Sequence, residues 1–261
     1  MLLPLYDRNP HHRFPVVTVL LILLNVFFFW RSVDGGVQNY VGTIFEHGFI
    51  PARLTNIDSG QPVLVQQQLP EGGAFRASLS TDSNAVYATL VSMMFLHGGL
   101  LHLVSNVWML WVFGDNVEDR LGRLVYPFFY LLGGVVAGLT QWAASPDSTT
   151  PVIGASGAIA AVLGAYVVTF PRAKVKTLIF VGLPLIFDLP SYLVLGAWFV
   201  LQTIGGIQGI GAPVEMGVNV AYWTHIGGFV AGVILMPLLT IGVAPPGAED
   251  WRTESRKAFE F

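Results

Sequence analysis

The stretch PVIGASGAIAAVLGAYVVTFPRAKVK, residues 151–176, sets one hydroxyl, Ser156, among glycines at the head of an apolar run that ends in Arg172, Lys174 and Lys176. No charged side chain occurs from Val152 to Phe170, about the 20 residues that a membrane-crossing helix requires. Basic residues are retained on the cytoplasmic side of a membrane. The stretch therefore reads as a helix that enters from the outside, with Ser156 at its outer end.

Working outward, further charge-free runs occupy residues 14–30, 83–114, 124–144, 189–214 and 216–248. Together they predict an all-α polytopic membrane protein with six transmembrane helices. The second run is too long for one span; Gly98-Gly99 divides it, so its helix starts near Leu100, and AVYATLVSMMFLH reads as an apolar, partly embedded loop. The fifth begins after Asp188 and Pro190. TLIFVGLPLIF, broken by Gly182 and Pro184, is too short to span and is expected at the interface. The first run follows Arg8 and Arg13 as a signal peptide would, but no small-residue cleavage site follows Phe27, Phe28, Phe29 and Trp30, so it reads as a helix.

Composition agrees: of 261 residues, 53% are hydrophobic and only 11% charged, against roughly 25% charged in an ordinary soluble domain. Mean hydropathy is +0.62. A net charge of -3 with no large basic cluster gives no electrostatic reason to expect a nucleic-acid partner, and none is expected. The absence of cysteine removes disulfides, thiolate metal ligands and a cysteine nucleophile. Of the 13 basic residues, Arg31, Arg53 and Arg76 fall on one side of the six-span layout and the remainder on the other. Both termini are thus expected in the cytoplasm. The implied organisation is a cytoplasmic segment 1–13, a membrane domain 14–242 with a long outer loop 31–99, and a cytoplasmic tail 243–261. TIGGIQGIGAPVEMG, rich in glycine, reads as a flexible lid on the outer side.

Polar groups inside apolar spans are costly and need a reason. They are few: Asn25, His102, Ser105, Asn106, Gln141, Ser156, Gln202, Thr224 and His225. Asn25 reads as a packing amide, and Gln141 and Gln202 fall near helix ends that water reaches. His102, Ser156 and His225 all lie within the first two turns of the even-numbered spans, hence at one depth below the outer face. A serine becomes a nucleophile when a base takes its proton, and neutral imidazole is the usual base near pH 7. Small residues permit the approach: Ser156, Ala160 and Gly164 share one helix face, and His225, Gly228 and Gly232 another. His102 and Asn106, at i and i+4, share a face and can each present an N–H to a developing oxyanion, as can the first amides of a helix, at Ser156 and Gly157. With no acid near His225 in sequence, a Ser156–His225 dyad is expected, needing no cofactor. His97, His102 and His225 lack a fourth ligand and the His97–His102 spacing is not i, i+4, so no metal site is expected. Taken singly, a serine in GASG is a helix cap and a membrane histidine a packing contact; the conjunction favours catalysis. His97 is expected to bond loop backbone.

The ordered pieces HGGLLHLVSNVWMLWVFG, GASG and THIGGFVAG, together with VEDRLG, resemble the rhomboid family of intramembrane serine proteases over roughly residues 85–242. The resemblance implies a bacterial-type six-helix core in an inner membrane, with Ser156 as nucleophile and His225 as base then acid. It implies that His102 and Asn106 assist the backbone N–H of Ser156 in an oxyanion hole opening to the outer face. Implied substrates are membrane-anchored proteins, cut in or beside a transmembrane helix. Two departures stand out: the outer loop lacks the family's frequent Trp-Arg pair, and Ala160 replaces an aromatic that packs on the histidine, leaving Tyr166 or Trp223 to orient His225. A non-proteolytic client-binding relative is the alternative.

Overall fold

The computed structural model describes residues 2–9, 12–57, 59–69, 72–180, 182–209 and 221–242. Within them the chain is mostly helical. Strand β1 (Leu2–Asp7) precedes helix α1 (Val16–Val33); α2 (Gly36–His47), α3 (Pro51–Thr55), β2 (Val63–Gln68), β3 (Ala74–Leu79) and α4 (Ser83–Ser92) follow. Then come α5 (Leu100–Ala144), α6 (Ser156–Thr169), β4 (Lys174–Phe180), β5 (Pro184–Pro190), α7 (Ser191–Gln208) and α8 (Tyr222–Leu239). Helix α5 is two arms joined at Gly122, whose φ of 79° and ψ of 159° break the helical course. Only glycine adopts that backbone at little cost.

Helices α1, α5 and α8 are long and apolar enough to cross a membrane by length and composition, and α6 is a shorter apolar helix. Leu20, Leu23, Phe27 and Trp30 on α1, Leu124 and Phe128 on α5, and Ile234 and Leu238 on α8 are exposed. So wide an apolar surface suits lipid and not water. Helix α6 has the opposite environment: residues 157–166 are buried without interruption, wedged between α8 and the second arm of α5. Its neighbours make room by lacking side chains. A methyl group on Gly164 would overlap the Phe229 carbonyl oxygen, one on Gly228 the Gly157 carbonyl oxygen, and one on Gly232 the Ala161 carbonyl oxygen. Ala160 meets Gly228 at the same seam. The expected faces Ser156/Ala160/Gly164 and His225/Gly228/Gly232 thus do pack together.

The all-α expectation is wrong in two places. TLIFVGLPLIF does not span, as expected, but it is not helical either: it forms most of the antiparallel β4–β5 hairpin, with β1 added to give the order β1-β4-β5. Gly182, at φ 94°, and Pro184 bracket the turn rather than merely interrupting a helix. Pro4, Pro184 and Pro190 all fall on the two outer strands, where a missing N–H is tolerated. Residues 31–99 are also not a loop. There α2, α3 and α4 surround the β2–β3 hairpin, and Phe45, Ile50, Ala52, Val63, Val65 and Leu79 form a second, smaller core. AVYATLVSMMFLH, expected as loop, is mostly α4 followed by a tight turn at Met93–Phe95, because Asp82 caps Ala85 N–H at 3.0 Å and nothing in the segment breaks a helix. The break expected at Gly98-Gly99 is present, and α5 starts at Leu100.

One carboxylate holds α1 in place through three hydrogen bonds. Pro15 has no side chain with which to cap α1; instead the Glu118 carboxylate, from the turn between the arms of α5, accepts from Val17 N–H at 3.0 Å, Thr18 N–H at 2.7 Å and the Thr18 hydroxyl at 2.8 Å. A carboxylate at a helix N-terminus satisfies orphan amides and the helix dipole together. The tail 243–261, and the part of the expected lid at 210–220, lie outside the described residues.

Candidate active site

Three helix starts converge. Gly99, in an extended conformation at φ 155°, leads into α5, so His102 is the third residue of that helix. Gly154, at φ 119°, turns the chain so that Ser156 is the first residue of α6. The Thr224 hydroxyl donates back to the Ala221 carbonyl oxygen at the start of α8, one residue before His225. Because Gly157 abuts Ala137 and Thr224, and Gly228 abuts Gly157, the two chain segments meet without side chains between them. His225 Nε2 then lies 2.8 Å from Ser156 Oγ, a hydrogen bond. The other ring nitrogen, Nδ1, lies 2.7 Å from Oε1 of Gln202 on α7, and the Trp198 ring packs on the imidazole with centroids 5.7 Å apart.

His102 faces the same spot from the other side. Its Nδ1 accepts from Gly98 N–H at 3.2 Å, so the ring proton sits on Nε2 and that atom is a donor. Nε2 and Cε1 border Gly154 so closely that a methyl there would lie 2.8 Å from each. Gly154 is therefore a cradle, glycine both by conformation and by space. Asn106, one turn on, is buried, and its Nδ2 has no hydrogen-bond partner among the described residues. A buried N–H left unpaired costs about 1–3 kcal/mol, so the Asn106 amide is a site where folding has left a polar group unsatisfied. A small cleft beside Ser156 is lined by Met93, Gly154, Gly157 and Thr224.

The structure thus brings Ser156 to His225, sets His102 beside Gly154, and packs the small residues at the helix seam; Asn106 lies one turn beyond His102 on the same helix. Orientation of His225 departs from expectation. Tyr166 does not reach it; its hydroxyl donates to Asp7 at 2.5 Å on the β1 side of the molecule. Gln202 and Trp198 hold the ring instead. His97 is structural: its carbonyl oxygen accepts from the Tyr40 hydroxyl at 2.7 Å, its buried ring lies edge-on to His102 with centroids 5.2 Å apart, and it interacts with the Phe95 backbone of the loop before α5. Burial, and secondly the neighbouring His102, hold the His97 pKa down to about 3.

Residues 84–241 match the model of the rhomboid domain. The chain belongs to the rhomboid family. Its rhomboid domain is similar to Presenilin-associated rhomboid-like protein A, mitochondrial, of Danio rerio, with 27% identity over 60% of this chain and 39% of that protein. It is similar to Rhomboid protein 1, mitochondrial, of Saccharomyces cerevisiae, with 29% identity over 56% and 40%. RHOMBOID-like protein 9, chloroplastic, of Arabidopsis thaliana is 27% identical over 59% and 32%. The chain therefore spans less than half the length of these curated relatives. Their names are mitochondrial or chloroplastic, which gives no support to a bacterial inner membrane.

Gln202 is the site residue that sequence reasoning missed. Near a helix end, an amide is usually solvated, and so it was set aside. The available signal was depth: in the six-span layout the fifth helix runs outward, which brings its polar C-terminal part level with His225. A roomier cavity of about 640 Å³ lies away from the rhomboid site, lined by Glu46, His47, Arg53, Phe75 and Thr89 among others. Arg53 is buried there and donates to the Ser80 and Glu46 carbonyl oxygens at 2.9 and 3.3 Å.

Proposed function

We propose that this rhomboid domain is an intramembrane serine endopeptidase that cleaves membrane-anchored proteins in or near a transmembrane helix. The observation that carries this reading is the 2.8 Å contact of Ser156 Oγ with His225 Nε2. Ser156 Oγ attacks the scissile carbonyl carbon while its proton passes to His225. The carbonyl π electrons move onto oxygen, where His102 Nε2–H, Asn106 Nδ2–H and the first amides of α6 stabilise the charge. His225 then protonates the departing amine as the C–N bond breaks, leaving an acyl group on Ser156. Water, deprotonated by His225, attacks that ester, and the proton returns to Ser156.

The six-span crossing, with both termini cytoplasmic, is part of the same proposal. At 1.5 Å per residue the 14 residues of α6 measure about 21 Å, less than the roughly 30 Å hydrocarbon core. A helix that short, ending in a basic cytoplasmic stop, leaves Ser156 recessed below the outer surface, in a notch that water from that side fills. Purified protein should react at Ser156 with a serine-directed fluorophosphonate and cleave a model membrane substrate, and Ser156→Ala should abolish both. Substrate capture equal in wild type and Ser156→Ala, with product from neither, would instead identify a client-binding protein.

A further inference from the structure

A serine–histidine pair works only if the histidine nitrogen that faces the hydroxyl is bare. Neutral imidazole carries one proton on either nitrogen, so something must choose. In this chain the choice is made from a third helix. Gln202 Oε1, on α7, lies 2.7 Å from His225 Nδ1, and an amide oxygen only accepts. With Nδ1–H donating to it, Nε2 is the acceptor toward Ser156 Oγ. The reversed amide would put a donor against Nδ1, load the proton onto Nε2 and leave the serine proton without a destination.

We propose that Gln202 is a positioning residue that selects the reactive tautomer of His225 and fixes its ring, so that the working unit is Ser156–His225–Gln202 drawn from α6, α8 and α7. This rests on the serine-protease reading. Three features support it. Gln202 Oε1, His225 and Ser156 Oγ form one continuous hydrogen-bonded chain. The Trp198 ring, one turn before Gln202 on the same helix, closes a face of the imidazole. Tyr166, one of the two rings the sequence offers to steer His225, is engaged with Asp7 instead. Gln202 is neutral, so it sets the tautomer without the charge stabilisation that a carboxylate gives an imidazolium. Among the described residues, the titratable group that acts on His225 is His102 on α5; Ser156, Gln202 and Trp198, which contact its ring, carry no charge.

The test uses the full chain in detergent micelles or bilayer discs. It measures the fluorophosphonate labelling rate of Ser156 across pH 5–9, and kcat and KM on a model transmembrane substrate. Gln202→Met, near-isosteric but without an acceptor of comparable strength, is expected to lower labelling and kcat about 10- to 100-fold, the range found when the hydrogen-bond partner that orients a metal-ligating histidine is lost, with KM unchanged. Gln202→Glu keeps the acceptor and discards the donor. It is expected to restore labelling and to move the acid limb of the profile to higher pH, because a carboxylate favours the protonated ring. Should Gln202→Met fold poorly, the Gln202→Glu profile decides alone: a profile superimposable on wild type, or labelling as slow as in a variant without the acceptor, overturns the proposal. So does a well-folded Gln202→Met with wild-type rate and profile. Wild-type protein that is neither labelled nor active overturns the protease reading and this inference together, whereas an active wild type with an indifferent Gln202 overturns this inference alone.

Discussion

A buried N–H with nothing to bond is a cost that folding alone would remove, and Asn106 Nδ2 is such a group among the described residues. Its price in stability and its use in catalysis should therefore separate. Asn106→Leu, which fills a similar volume without the polar atoms, is expected to leave the melting temperature in detergent unchanged or raise it, while kcat falls about 10²-fold with little change in KM. Loss of stability in step with activity would make Asn106 a structural residue and remove it from the oxyanion site. Ser156, His225 and His102 could be singled out in the sequence because polar side chains are rare in apolar runs and these three fell at one depth, and Asn106 followed because it shares a helix face with His102. Gln202 was not, because an amide near a helix end has an ordinary explanation, and only the position of α7 beside α8 gives it another. His97 was legible as structural but not in detail, since no sequence pattern tells a ring packed on His102 from one bonded to a loop.

At the scale of elements, the approach of α6 to α8 depends on atoms that are absent. Gly232 faces the Ala161 carbonyl oxygen and Gly164 faces the Phe229 carbonyl oxygen, so any side chain at either position must push two backbones apart. Gly232→Val is expected to destabilise the protein by about 1–3 kcal/mol, and to slow Ser156 labelling because the Ser156–His225 contact is made across the same seam. Gly196→Ala on α7 is the matched control: a methyl there meets nothing within 4 Å, and the change should be neutral or stabilising by up to about 1 kcal/mol. Thermal melts and labelling rates of both variants check the pair; equal behaviour would mean that the seam tolerates separation. The helices were readable because long apolar runs announce themselves. The strands were not, and the reason is physical. Each is only 6 or 7 residues long, and β1 finds its partner β4 more than 160 residues along the chain, a pairing with no local signature. The break in α5 at Gly122 was visible only as a charged turn.

Across the whole molecule, pairings between distant segments constrain which ends share a side. Strand β1 is hydrogen-bonded to β4, and Arg8 bridges Asp188 at 2.9 Å, so the segment before α1 and the hairpin after α6 lie together. Between them run α1, the two arms of α5, and α6: four apolar helical stretches, an even number. Independently, Phe49 pairs with Val152, Ala52 N–H donates to the Ser148 carbonyl oxygen at 3.0 Å and the Thr55 hydroxyl donates to the Pro146 carbonyl oxygen at 2.7 Å. These join the segment after α1 to the loop before α6, across the two arms of α5, again an even number. Both parities agree with a layout in which the β1-β4-β5 sheet sits on one side of the membrane and the β2–β3 hairpin on the other. On the proposed layout charge then chooses the sides: Arg8, Arg172, Lys174 and Lys176 accompany the three-stranded sheet, the side on which the positive-inside rule would keep them. The chain contains no cysteine, so single cysteines report without background. Gln66→Cys, exposed on β2, should react with a membrane-impermeant maleimide on intact cells or right-side-out vesicles. Leu183→Cys, exposed in the β4–β5 turn, should react only after permeabilisation. The reverse pattern would turn the molecule over and move the opening beside Ser156 to the cytoplasmic face; labelling of both sites from one side would mean that an odd number of the three stretches between them, the two arms of α5 and α6, fails to cross.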